Sequence, residues 1–137
     1  MNPHPQTVRK IGLSYVRNQL SRRGWKVVSP ARSTRGVDFF AHPQDGLRKL
    51  TIKVRALSRR KAVSLGPTLD NLLADYVVVC RKLIEPNPEC FILTTEEVRE
   101  LANPNEKDGE VSYWLEPRDY ETEQFQERWD RMGSGVD

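Results

Sequence analysis

From Gly36 to Arg55 the chain reads G-V-D-F-F-A-H-P-Q-D-G-L-R-K-L-T-I-K-V-R. Two extended runs, residues 37–41 and 50–57, flank Pro43-Gln44-Asp45-Gly46, where proline fixes φ and glycine accepts positive φ. The pattern dictates a strand, a turn and a second strand. The second run alternates cleanly, with Leu50, Ile52 and Val54 on one face and Thr51, Lys53 and Arg55 on the other. Asp38 sits early in the first strand. One carboxylate set against two cations on a neighbouring strand suits phosphate handling, while the carboxylate count is too low for a metal enzyme.

The chain of 137 residues is long enough for one domain with a real core and too short for two comfortable ones. No apolar run approaches the roughly 18 residues of a membrane span, and M-N-P-H-P-Q-T-V-R-K has no apolar signal core. Cys80 and Cys90 are the only cysteines, which excludes a disulfide framework and a four-cysteine zinc site. They can face each other across a hairpin, but two reduced thiols in the cytoplasm are expected. His4 and His42 are too few for a histidine-rich metal site.

The net charge of +3 hides an asymmetry. Residues 1–62 hold 15 Lys or Arg against Asp38 and Asp45, a surplus of +13, and residues 63–137 hold 7 basic residues against 17 acids, a surplus of −10. Such separation points to a polyanionic partner for the first half. The alternative is an acidic half folded back over the basic one.

A helix is expected over 6–23, capped by Thr7, with Val8, Ile11, Tyr15, Val16 and Leu20 on its apolar arc and Gly24 ending it. Strands follow at 25–29, 37–41 and 50–57, with a short extended piece at 62–65. A short helix at 68–74 precedes Tyr76-Val77-Val78-Val79-Cys80, the signature of a strand buried on both faces. Residues 90–93 form a further strand, Thr94 or Thr95 caps the next helix, and 111–115 a last strand. A polar, acidic helix at 119–131 carries Tyr120, Phe125 and Trp129. The domain plan is thus a single domain, 1–137, with an acidic extension and helix at 96–131 and a disordered tail at 132–137.

R-R-G-W-K-V before the first strand, G-V-D-F-F in the second, L-T-I-K-V-R-A in the third, and the later L-A-D-Y-V-V-V-C and C-F-I-L-T together resemble the core of the PD-(D/E)XK, or restriction-endonuclease-like, nuclease superfamily. The resemblance spans residues 6–95. It implies an α/β fold with a central mixed β-sheet flanked by helices. In relatives an Asp and a Glu or Gln on the next strand hold magnesium, and a Lys two residues beyond serves the attacking water. Asp38 falls on the aspartate. If I-K-V-R matches I-(E/Q)-V-K, Lys53 replaces the acid and Arg55 the lysine; if T-I-K matches E-x-K, Thr51 replaces the acid. The first register aligns the flanking apolar residues. Both lose the second metal ligand, and the acid that many relatives carry on the first helix is absent as well. Asp38, Lys53 and Arg55 are therefore degenerate catalytic positions, with Asp38 a metal ligand only if the site is active. Asp70 is the one candidate for a displaced acid, and its simpler reading is a helix cap.

Arg22, Arg23, Lys26, Arg32, Arg35, Arg48, Lys49, Arg59, Arg60 and Lys61 are expected around this site as phosphate-contacting arms. Trp25, Phe39 and Phe40 are read as core residues before base-stacking ones. The expected function is nucleic-acid binding, with DNA the partner, on a nuclease frame and without a cofactor. Two alternatives stay open. One is an active magnesium-dependent endonuclease of resolvase type using Asp38 and a displaced acid. The other is a protein-interaction module built on the acidic C-terminal helix. A homodimer is a further possible partner.

Overall fold

The computed structural model describes residues 3–30, 36–46 and 48–136. Helix α1 runs Pro5–Arg22. It starts earlier than a Thr7 cap would allow, because His4 takes the cap and its Nδ1 accepts the Gln6 amide at 3.1 Å. Pro5, with φ already helical and no N–H to satisfy, then opens the first turn. Val8, Gly12, Val16 and Leu20 form the buried stripe. Gly24, at φ +92°, ends the helix as expected.

Eight strands follow among the described residues: β1 (Lys26–Val28), β2 (Phe39–His42), β3 (Leu50–Ala56), β4 (Val63–Gly66), β5 (Tyr76–Arg81), β6 (Glu89–Thr94), β7 (Asn103–Lys107) and β8 (Glu110–Leu115). Helix α2 (Thr95–Leu101) lies between β6 and β7, and the short α3 (Pro117–Tyr120) follows β8. The main sheet has the order β1-β2-β3-β5-β6. β3 and β5 are parallel and every other pairing is antiparallel, so the sheet is mixed.

Alternation decides what each face of that sheet covers. Ile52, Val54, Val78, Cys80 and Ile92 point to Val8, Val16 and Leu20 of α1. Val77, Val79, Phe91 and Leu93 point the other way, into a second core with Val98 of α2, Leu115, Tyr120 and Phe125. β5 is thus buried on both faces, as its unbroken apolar run requires. Thr94 caps α2 in a reciprocal box with Glu97. Cys80 and Cys90 are buried free thiols in register across β5 and β6, Sγ to Sγ 2.7 Å. No helix among the described residues is long and apolar enough to cross a membrane.

Four expectations need correcting. Residues 68–74 turn instead of coiling: the Thr68 hydroxyl accepts the Asp70 amide and the Leu72 amide returns to Leu69 O, local bonds that compete with a helix. Second, β4, β8 and β7 form a separate three-stranded sheet, in which β7 is a strand not expected from the sequence. Third, no acidic helix spans 119–131. α3 ends at Tyr120, and the chain then runs beside β6, where the Ile92 amide donates to Phe125 O and the Glu127 amide to Cys90 O, before a 3-10 turn at Trp129–Met132. Phe125 and Trp129 are core residues at 4% and 2% exposure, which removes the basis for an outward-facing interaction helix. Fourth, residues 133–136 are not a loose tail: Gly135 accepts the Gln44 amide and donates to Arg23 O.

Candidate functional site

β2 begins only at Phe39, opposite Ile52, so beyond Ile52 no strand among the described residues pairs with β3 on that side. Asp38 takes over there. Its backbone amide donates to Ile52 O at 2.8 Å, and its Oδ2 accepts the orphaned Val54 amide at 2.7 Å. A buried backbone N–H must find an acceptor, and this carboxylate supplies it. Lys53 Nζ lies 3.6 Å from the same oxygen, and Arg9 of α1 donates to Oδ1 at 2.7 Å. The Asp38 side chain is 6% exposed, and both of its oxygens are committed.

Arg55 stands two residues along the same face, and its side chain forms no hydrogen bond or ion pair with any other described residue. Burial draws its guanidinium below the ordinary value, and Arg9 adds to that while Asp38 opposes it. Lys53 is lowered too, by burial first, with Asp38 resisting and Arg9 and Arg55 assisting. Among the described residues three cations thus meet one carboxylate, a local surplus of two positive charges. The arrangement favours an incoming anion, and the Arg55 fork suits phosphate.

A divalent metal of the kind the family resemblance implies needs several oxygen ligands. Among the described residues Asp38 is the one carboxylate in this cluster, and its oxygens face Arg9, Lys53 and an amide. Thr51, the alternative motif position, is tied to Asp75 through its amide and its hydroxyl. Asp70 is exposed, in the turn after β4, and does not join the cluster. No group of three or more His, Cys, Asp or Glu converges among the described residues. The donor set does not fit a resident metal.

The remaining predicted basic residues do not gather here as a group. Arg32 and Arg35 lie outside the described residues. Arg23 bonds Gln19 and stacks over Trp129, and Arg48 donates to Ser134 O and stacks over Trp25, so both hold the C-terminal segment. Arg60 pairs with Glu121, and Lys49 sits over Phe40. Arg22, Lys26, Arg59 and Lys61 are exposed. Trp25 and Phe39 are buried core residues, as expected.

The acidic half does not blanket the basic one. Arg60–Glu121 links the two halves, but Arg81, Arg99, Arg128 and Arg131 take acids of their own half. Arg9 is the residue sequence reasoning missed. On a helix it reads as a solvated arginine, and only the fold brings it to Asp38.

No protein-family model matches the sequence, and a search of curated proteins gives no significant match. Among solved structures the chain is similar to the 1.6 Å structure of Archaeoglobus fulgidus Hjc, a Holliday junction resolvase from an archaeal hyperthermophile. The match has 16% sequence identity and a TM-score of 0.53, and covers 78% of this chain and 89% of that one. With its mixed central sheet between helices, the protein has a restriction-endonuclease-like fold.

Proposed function

We propose that this protein binds nucleic acid, with DNA as its partner, through Arg9, Lys53 and Arg55, and that it does so without cleaving the strand. The observation that carries this reading is Arg55: a half-buried guanidinium that forms no ion pair with a described residue, beside an Asp38 already paired with Arg9 and Lys53. An anion entering the site gains charge-assisted hydrogen bonds and offsets mutual repulsion among the cations. Phosphate contacts of this kind supply affinity without sequence preference. The likeness to a Holliday junction resolvase makes branched DNA a substrate to include in the test.

Fluorescence anisotropy with duplex and four-way-junction DNA at several salt concentrations tests the reading. Arg55→Ala is expected to weaken binding to every sequence and to reduce the salt slope by about one. Unchanged affinity for all nucleic acids would overturn it. Magnesium-dependent cleavage that Asp38→Ala abolishes would establish the nuclease alternative instead.

A further inference from the structure

Lys53 and Arg55 stand between two cavities. One, of about 310 Å³, is the cationic cleft they share with Arg9, Pro5 and the β3 backbone at Val54 and Ala56. The other, of about 250 Å³, opens on the sheet face turned away from α1, and Leu65, Leu72, Leu73, Ala74 and Val77 make its apolar wall. The Thr95 hydroxyl in that wall is already bonded to the Ala74 carbonyl. Leu73, at the rim, is 58% exposed, although it is a large aliphatic side chain.

A ligand that uses both spaces is anionic where it meets Lys53 and Arg55 and apolar where it enters the second cavity. The cavity is below the roughly 300–1,000 Å³ of pockets that enclose drug-sized ligands, so it suits a single ring system. We propose that it receives the base of one nucleotide whose phosphate rests on Lys53 and Arg55, the nucleotide being extruded from a strand lying in the cleft. This rests on the nucleic-acid reading above and deepens it. Asn71 is the one wall side chain bearing an amide, so discrimination among bases is expected to be weak.

Extrusion costs a few kcal/mol in paired DNA and least where a base is already unpaired, so a single-nucleotide bulge is expected to bind about tenfold tighter than the same duplex fully paired. The experiment places 2-aminopurine at the bulge and follows its fluorescence together with anisotropy. Wild type should raise the probe's fluorescence on binding. Leu65→Trp, which fills the cavity, should abolish both that rise and the preference for the bulge while duplex binding through the cleft persists. If Leu65→Trp misfolds by circular dichroism, Asn71→Trp at the rim serves the same end.

Equal affinity for bulge and duplex with no fluorescence change overturns the cavity assignment and leaves nucleic-acid binding standing. Absence of binding to any DNA removes both. A parallel titration with deoxyadenosine monophosphate separates the two sources of the nucleotide: tight binding that bulged DNA does not displace, and that Leu65→Trp removes, assigns the cavity to free nucleotide and overturns extrusion.

Discussion

Arg9 of the first helix and Asp38 at the threshold of β2 meet at 2.7 Å, across 29 residues of chain. The contact does two things at once. It ties α1 to the point where β2 and β3 part, and it occupies one oxygen of the carboxylate. Lys53 and the Val54 amide occupy the other. Asp38 is therefore a structural cap and an internal counterion, and the cation left over is Arg55.

Asp38→Asn keeps the shape of that cap and removes its charge. Stability is expected to fall by about 1–3 kcal/mol, the range for losing hydrogen bonds to a charged group. Arg9 is half exposed and can turn to solvent, which holds the loss towards the low end. With three cations uncompensated, affinity for DNA at low salt should rise. Denaturant titration and anisotropy at two salt concentrations measure both effects, and weaker DNA binding would show that the carboxylate itself serves the ligand.

What could be read in advance follows the range of each signal. β3 was legible because period-two alternation is local, and it placed Lys53 and Arg55 on one face; Asp38, expected inside the preceding strand, lies just before β2. β7 was not, since N-P-N-E-K carries no apolar stripe; Asp108-Gly109, both at positive φ, was the cue that β7 and β8 form a hairpin. The segment 121–128 has helical composition, but the free edge of β6 needed a partner, and its backbone bonds to Phe125 and Glu127 outweighed propensity. Arg9 had no local signal at all.

Gly12 lets the helix lie on the sheet. A Cβ added there would stand 2.6 Å from Ala56 Cβ, an atom fixed to the β3 backbone. Alanine gains up to about 1 kcal/mol in helix propensity over glycine. Overpacking costs about 1–3 kcal/mol, and here there is no flexible side-chain end to yield. Gly12→Ala should therefore destabilise the protein in a denaturant titration, against the direction propensity alone would give.

Tyr120 closes the second core. It is fully buried, its hydroxyl donates to Lys61 O at 2.7 Å, and its ring meets Phe91 edge-on at 5.1 Å. Tyr120→Ala should cost about 3–5 kcal/mol, the range for deleting a buried aromatic. Removing residues 116–137 would also strip Phe125 and Trp129 and bare the β6 edge. The truncated chain is expected to lose cooperative unfolding, whereas a folded truncation with tighter DNA binding would mean that the segment masks the basic surface.

Arg131 and Glu97 fix the 3-10 turn to α2. The guanidinium donates to both Glu97 oxygens, at 2.8 and 2.6 Å, and to Ile92 O at 2.7 Å. Burial by itself would raise the Glu97 carboxyl, but the Arg131 hydrogen bonds and the Thr94 amide bring it below its ordinary 4.5. A carboxyl held low in the folded state binds fewer protons there than in the unfolded chain, so its stabilisation is complete above about pH 4.5 and is lost as pH falls through the depressed value. Glu97→Gln lacks this linkage. Wild type and variant should differ by about 1–3 kcal/mol near neutral pH, as expected for a hydrogen-bonded, partly buried charge pair. The gap should narrow with acid. Thermal melts from pH 7 down to pH 3 measure it, and a difference that holds constant across that range would show that Glu97 acts through packing and not through its charge.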